Sequence, residues 1–133
     1  MDGVSAMPDN IQAYLEVDDT VLDARWARLE AWVKDHFKRD VTLEAILFLI
    51  GVQSKGHGFE PSLKKEAKQD LIMEGTYCAF ETLDLYRRVG MEADGRWLWE
   101  RTTPMPDLSV EAQEKLLRLA VLRYFEDLGL GEE

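Results

Sequence analysis

The chain has 133 residues, 46% of them apolar and 10% aromatic, which suits one domain with a proper core and is too apolar for a disordered chain. Its net charge of −10 excludes a surface built chiefly on phosphate or anionic-lipid contacts, because such a surface needs an excess of Lys and Arg. The single cysteine excludes an internal disulfide and the Cys-rich zinc motifs.

The first 30 residues hold no basic segment followed by an apolar one, so no secretory signal is expected and a cytoplasmic protein is the plain reading. Residues 1–17 form an N-terminal segment. Pro8-Asp9-Asn10 is turn chemistry, and Ile11, Tyr14 and Leu15 can make a short helical turn that docks. Three helices are expected over 18–84. The first opens at Asp18 and Asp19, where negative charge meets the positive end of the helix dipole. Leu22, Trp26, Leu29, Val33 and Phe37 then recur at spacings of four and three, which marks one apolar helix face running to about residue 38. Trp32 falls beside that stripe.

Val41 to Gln53 reads as the central helix. Leu43, Ile46, Leu47, Phe48, Leu49, Ile50 and Val52 cover all sides of a helical wheel, and a helix apolar all round is buried. The run is about half the roughly 20 residues of a membrane span. Asp40 or Thr42 can cap its start, and Gly51 admits a close neighbour. The short connection makes the first two helices antiparallel neighbours. Pro61 or Ser62 opens the third helix, whose face is Leu63, Ala67, Leu71, Gly75, Cys78 and Ala79. A glycine in mid-helix costs about 1 kcal/mol against Ala, so Gly75 needs a reason, most simply close packing on the central helix.

Residues 85–102 change period and carry the turn signal Asp94-Gly95, which predicts a β-hairpin. A three-residue loop, 93–95, pairs Glu92 with Arg96 and Arg88 with Glu100, and gathers Val89, Met91, Trp97 and Trp99 on one face. The last helix spans 108–129, capped by Ser109 and ended by Gly129. Its core face is Val110, Leu117, Ala120, Val121, Tyr124 and Leu128. Leu122 and Phe125 fall on the opposite arc, so either a second copy of the chain or another part of this one covers them.

The fold expected is therefore mainly α, a four-helix domain over 1–133 with one β-hairpin between the third and fourth helices, in the order of a winged-helix domain. No catalytic motif is present and no cofactor is expected: there is no Gly-rich phosphate loop, no G-x-S-x-G and no H-E-x-x-H. Two weaker constellations remain. Glu66, Asp70 and Glu74 form a carboxylate row that could bind a metal with His57 and serve a hydrolase, or else a solvated stripe balanced by Lys64, Lys65 and Lys68. Arg88 and Arg96 on the hairpin, with Lys64 and Lys68, could contact nucleic acid, since residues 85–101 carry four arginines against Glu92, Asp94 and Glu100. The acidic residues of the third helix oppose that reading.

The run F-L-I-G-V-Q (48–53), then K-Q-D-L (68–71), then D-G-R-W-L-W (94–99), resembles a family of small uncharacterised bacterial proteins. The resemblance covers roughly residues 41–101 and implies a mostly helical bacterial protein with a small hairpin and no assigned activity. The functional expectation is a non-enzymatic interaction or assembly subunit, partnered by another protein or by itself as a homodimer. Its contact residues would be Leu122, Phe125, Trp97 and Trp99, with Tyr, Trp and Arg the types that anchor interfaces.

Overall fold

The computed structural model describes residues 8–37, 41–55, 64–93, 97–104 and 106–129. Among them are five helices and one antiparallel hairpin: α1 (Asp9–Leu15), α2 (Asp19–Phe37), α3 (Leu43–Lys55), α4 (Lys65–Glu81), β1 (Tyr86–Met91), β2 (Trp97–Arg101) and α5 (Val110–Asp127). The class is mainly α with a hairpin before the last helix, as the periodicities imply. The docking turn at the N-terminus is a helix in its own right, so four helices precede the hairpin. None of the described helices is long and apolar enough to cross a membrane.

Local chemistry sets the helix starts. Asp18 Oδ1 accepts from the backbone N–H of Thr20 at 2.8 Å and of Val21 at 3.2 Å. Thr42 Oγ1 accepts from Ala45 N at 3.0 Å, and Ser109 Oγ from Ala112 N at 3.1 Å. Each satisfies an N–H that the helix itself leaves unpaired. The expected start of α4 at Pro61 or Ser62 lies outside the described residues. α4 ends in a Schellman turn: Leu85 N donates to Phe80 O and Asp84 N to Glu81 O, with Asp84 left-handed at φ 62°.

The closest contact in the fold is between α3 and α4. A Cβ on Gly51 would stand 1.9 Å from Leu71 O, and one on Gly75 would stand 1.9 Å from Leu47 O. The two glycines thus let two antiparallel backbones touch, and this is the reason Gly75 needed. α2 packs on α5 rather than forming an antiparallel pair with α3. A short connection limits how far apart two helices lie without fixing which neighbour each one packs on.

α3 is not the centre of the core. Ile46, Leu47, Ile50 and Gly51 are buried, while Leu43, Phe48, Leu49 and Val52 are only half-buried, so α3 is an outer helix with one sealed side. The core is built instead around α4, which packs against α3, α5 and β1, and α5, which packs against α4, α1 and α2. α5 buries Leu116, Leu119, Ala120, Val121, Leu122 and Phe125, while Val110 and Leu128 at its ends are exposed. Its expected core face was therefore too narrow, because a helix enclosed by three neighbours buries more than one stripe.

α1 seals the junction of these elements. Ile11 is fully buried, Tyr14 donates its hydroxyl to Leu83 O at 3.1 Å, and Lys115 Nζ reaches Val17 O at 2.6 Å. Arg25 of α2 pairs with Glu126 of α5 at 2.6 Å. On α2, Leu22, Trp26, Leu29 and Val33 are buried as the stripe predicts.

Candidate functional site: the hairpin and the helix beneath it

The hairpin register decides which side chains are available. Near the turn, Met91 faces Trp97 and Gly90 faces Leu98, the pairing that a three-residue loop gives. Residues 94–96, including Arg96, lie outside the described residues. At Val89 the ladder shifts by one, and beyond it Arg88 faces Trp99, Arg87 faces Glu100 and Tyr86 faces Arg101. Such a bulge moves every later side chain to the other face. The expected pair Arg88–Glu100 is therefore replaced by Arg87–Glu100, whose Nε donates to Oε1 at 2.7 Å on the exposed side. Arg88 takes the place on the tryptophan face that Val89 was expected to hold.

That inner face lies on α4. Glu74, only 7% exposed, is the buried acidic residue at the junction. Its Oε1 accepts from Trp99 Nε1 at 3.3 Å, and its Oε2 accepts from Ser54 Oγ at 3.2 Å and from the Cys78 thiol at 4.0 Å. The Arg88 guanidinium lies over the Trp97 and Trp99 rings, 4.7 and 5.2 Å from their centroids. It also reaches Glu81 at 3.4 Å and donates to Cys78 Sγ at 3.6 Å. Tyr77 stacks on Trp99 with centroids 5.7 Å apart. Both oxygens of Glu74 thus find hydrogen-bond donors within the cluster, as burial of a carboxylate demands.

Cys78 is 1% exposed. Burial pushes its thiol above the ordinary value of 9.0; the Ser54 hydroxyl and the Arg88 guanidinium pull the other way and do not prevail. A thiol held protonated is a poor nucleophile, so Cys78 behaves as a small apolar residue with a weak donor.

The opposite aspect of the hairpin is open. Leu98, 43% exposed, stands there over Gly90, where no side chain intervenes, while Val89 in the bulge and Met91, opposite Trp97 near the turn, are 52% and 53% exposed. No third strand among the described residues joins either edge of the sheet. Unpaired edges beside exposed apolar side chains are a template for another chain.

The other sequence-derived candidates fall as follows. Leu122 and Phe125, 3% and 8% exposed, are buried within this chain, and Trp32 of α2 packs against Phe125 with ring centroids 6.2 Å apart. They offer no surface to a second copy. Trp97 and Trp99 are half-buried between α4 and solvent. Arg88 is committed to the inner face, while Lys64 and Lys68 are exposed beside the equally exposed Glu66 and Asp70. The carboxylate row is broken, because Glu74 turns inward under Trp99 while Glu66 and Asp70 face water; His57 lies outside the described residues. Among the described residues no three His, Cys, Asp or Glu side chains converge as metal ligands.

Ser54 and the junction role of Glu74 were missed. Leu71, Glu74 and Cys78 stand at i, i+3 and i+7, so Glu74 sits in the apolar stripe, which was the signal available.

A shallow groove of about 450 Å³ runs between the starts of α2 and α5, over Leu15 and Leu22. Its cations are already engaged: Lys115 pairs with Asp19 at 2.8 Å, and Arg118 with Glu114 at 3.0 Å while lying over the Trp26 ring. The contacts of Lys115 with Asp19 and of Arg118 with Trp26 hold α2 against α5. No protein-family model matches the chain, and neither curated proteins nor solved structures give a match.

Proposed function

We propose that this protein is a non-enzymatic interaction module, cytoplasmic, whose hairpin presents a contact surface to another protein or to a second copy of the chain. The observation that carries the reading is the exposure of Val89, Met91 and Leu98 on a two-stranded hairpin whose edges no other strand joins among the described residues. Strand addition at such an edge uses backbone hydrogen bonds for affinity and apolar side chains for specificity. The chemistry-bearing groups nearby, Glu74, Cys78 and Arg88, are occupied with one another, which favours binding over catalysis. A single buried thiol is in keeping with a reducing compartment.

The test compares tagged wild-type protein with Val89→Asp/Leu98→Asp, both captured from nuclease-treated native cells and both run in sedimentation equilibrium. The reading expects a stoichiometric partner, or a dimer, for the wild type only, with the far-UV circular dichroism of the variant unchanged. Identical captures from two monomeric proteins contradict it.

A further inference from the structure

We propose that the hairpin is a hinged flap, latched onto α4 by Glu74 and Arg88, which opens as a unit about Leu83–Leu85 while the helices stay folded. The base and the arm are held by different means. At the base, Leu83 and Leu85 are 2% and 0% exposed. Tyr14 holds Leu83 O, Thr102 N donates to Leu85 O at 2.9 Å, and the hydroxyls of Thr102 and Thr103 both donate to Asp84 O. The two ends of the hairpin are thereby tied to each other and to the core.

The arm has no such anchor. From Tyr86 to Met91 and from Trp97 to Arg101 no residue is fully buried. What holds the arm down is polar or aromatic: Trp99 to Glu74, Arg88 to Glu81 and Cys78, Trp99 on Tyr77, and, where the arm leaves its base, Tyr86 on Tyr77 and Phe80 at the margin of the core. The polar contacts exchange readily for water, because a carboxylate and a guanidinium regain hydration on opening, and the rings are only half-buried to begin with. The ladder and the Arg87–Glu100 pair travel with the arm and are not lost. Segments with few buried apolar contacts open at lower free energy than the whole fold. Opening of the flap belongs to this chain alone, whatever the hairpin binds.

Cys78 reports the motion. It is the only cysteine of the chain and lies against Arg88 of the arm. The experiment follows its reaction with an aromatic disulfide reagent under native conditions, across low urea concentrations, alongside equilibrium unfolding. The flap predicts labelling with a urea dependence well below that of global unfolding. Trp99→Phe, which keeps the ring and removes the N–H to Glu74, raises the labelling rate about tenfold. Leu22→Ala, in the α2 core, lowers the unfolding midpoint and leaves labelling in water unchanged. If Trp99→Phe does not fold by circular dichroism, Arg88→Lys, which keeps the charge and loses the planar contact with both indoles, gives the same reading. Labelling that carries the full urea dependence of unfolding, or a latch variant labelled at the wild-type rate, overturns the flap.

Discussion

Replacing Gly75 by Ala sets two effects of opposite sign against each other. Helix propensity favours Ala by about 1 kcal/mol at an interior position. Against it, the new methyl would stand 1.9 Å from Leu47 O, where ordinary contact begins at 3.4 Å, a shortfall of 1.5 Å. The obstructing atoms are backbone, so no rotamer change relieves the clash, and α3 must move away from α4. Overpacking of this kind costs about 1–3 kcal/mol, and packing lost in the core cluster that holds Leu47 and Ile50 of α3 with Cys78 of α4 adds to it. After the propensity gain the expected net loss is about 2 kcal/mol. For a chain of this length that lowers Tm by roughly 8 °C. Thermal and urea denaturation followed by circular dichroism measure it directly. Gly51→Ala meets the same obstruction from Leu71 O, and the double substitution should cost less than the sum, since helices already parted admit the second methyl. A Gly75→Ala protein as stable as wild type, or more so, refutes the close approach of the two helices.

Three smaller effects follow from the same structure. Asp84→Gly relieves a left-handed residue at the end of α4 and should stabilise by about 0.5–1 kcal/mol, visible as a higher urea midpoint. Ser109→Ala removes the cap of α5 and should cost about 1 kcal/mol, with Ser109→Asp restoring most of it. The raised pKa of Cys78 gives an alkaline dependence. Below pH 9.0 folded and unfolded thiols are both protonated and the contribution is fully present. Above it the unfolded chain releases its proton first, so stability falls as pH rises through the folded-state value. Urea unfolding from about pH 8 to about pH 10 should show a steeper decline in wild type than in Cys78→Ala, while the raised pKa of Tyr124 acts above its ordinary value of 10.0 in both.

Much of this fold is written in short-range signals. Asp18, Thr42 and Ser109 name the helix starts because a capping side chain acts within three residues. Gly75 announces a close neighbour because a mid-helix glycine is otherwise costly. What depends on the third dimension was harder to read. Leu122 and Phe125 looked outward because α5 was given one apolar face, whereas contact with α1, α2 and α4 encloses most of its girth. The ten-residue apolar run of α3 suggested the centre, yet one face of it is sealed by α4 and the rest is half-buried. The shift at Val89 carries no local signature beyond Gly90 beside it, and that single residue turns Arg88 from an exposed ion pair into a latch on α4. Glu74 stood in a regular carboxylate spacing, and only its companions Leu71 and Cys78 betray the buried side.

The hairpin presents its outer aspect because its inner face is spent on Glu74, and the indole N–H resonances test this most directly. In a proton–nitrogen spectrum of labelled protein, Trp99 should give an N–H signal that exchanges with solvent more slowly than an exposed indole. Glu74→Gln should shift that signal selectively among the four tryptophans. A Trp99 N–H that exchanges like a free indole and ignores Glu74→Gln would mean that the hairpin does not lie on α4, and the assignment of its inner and outer faces would fall with it.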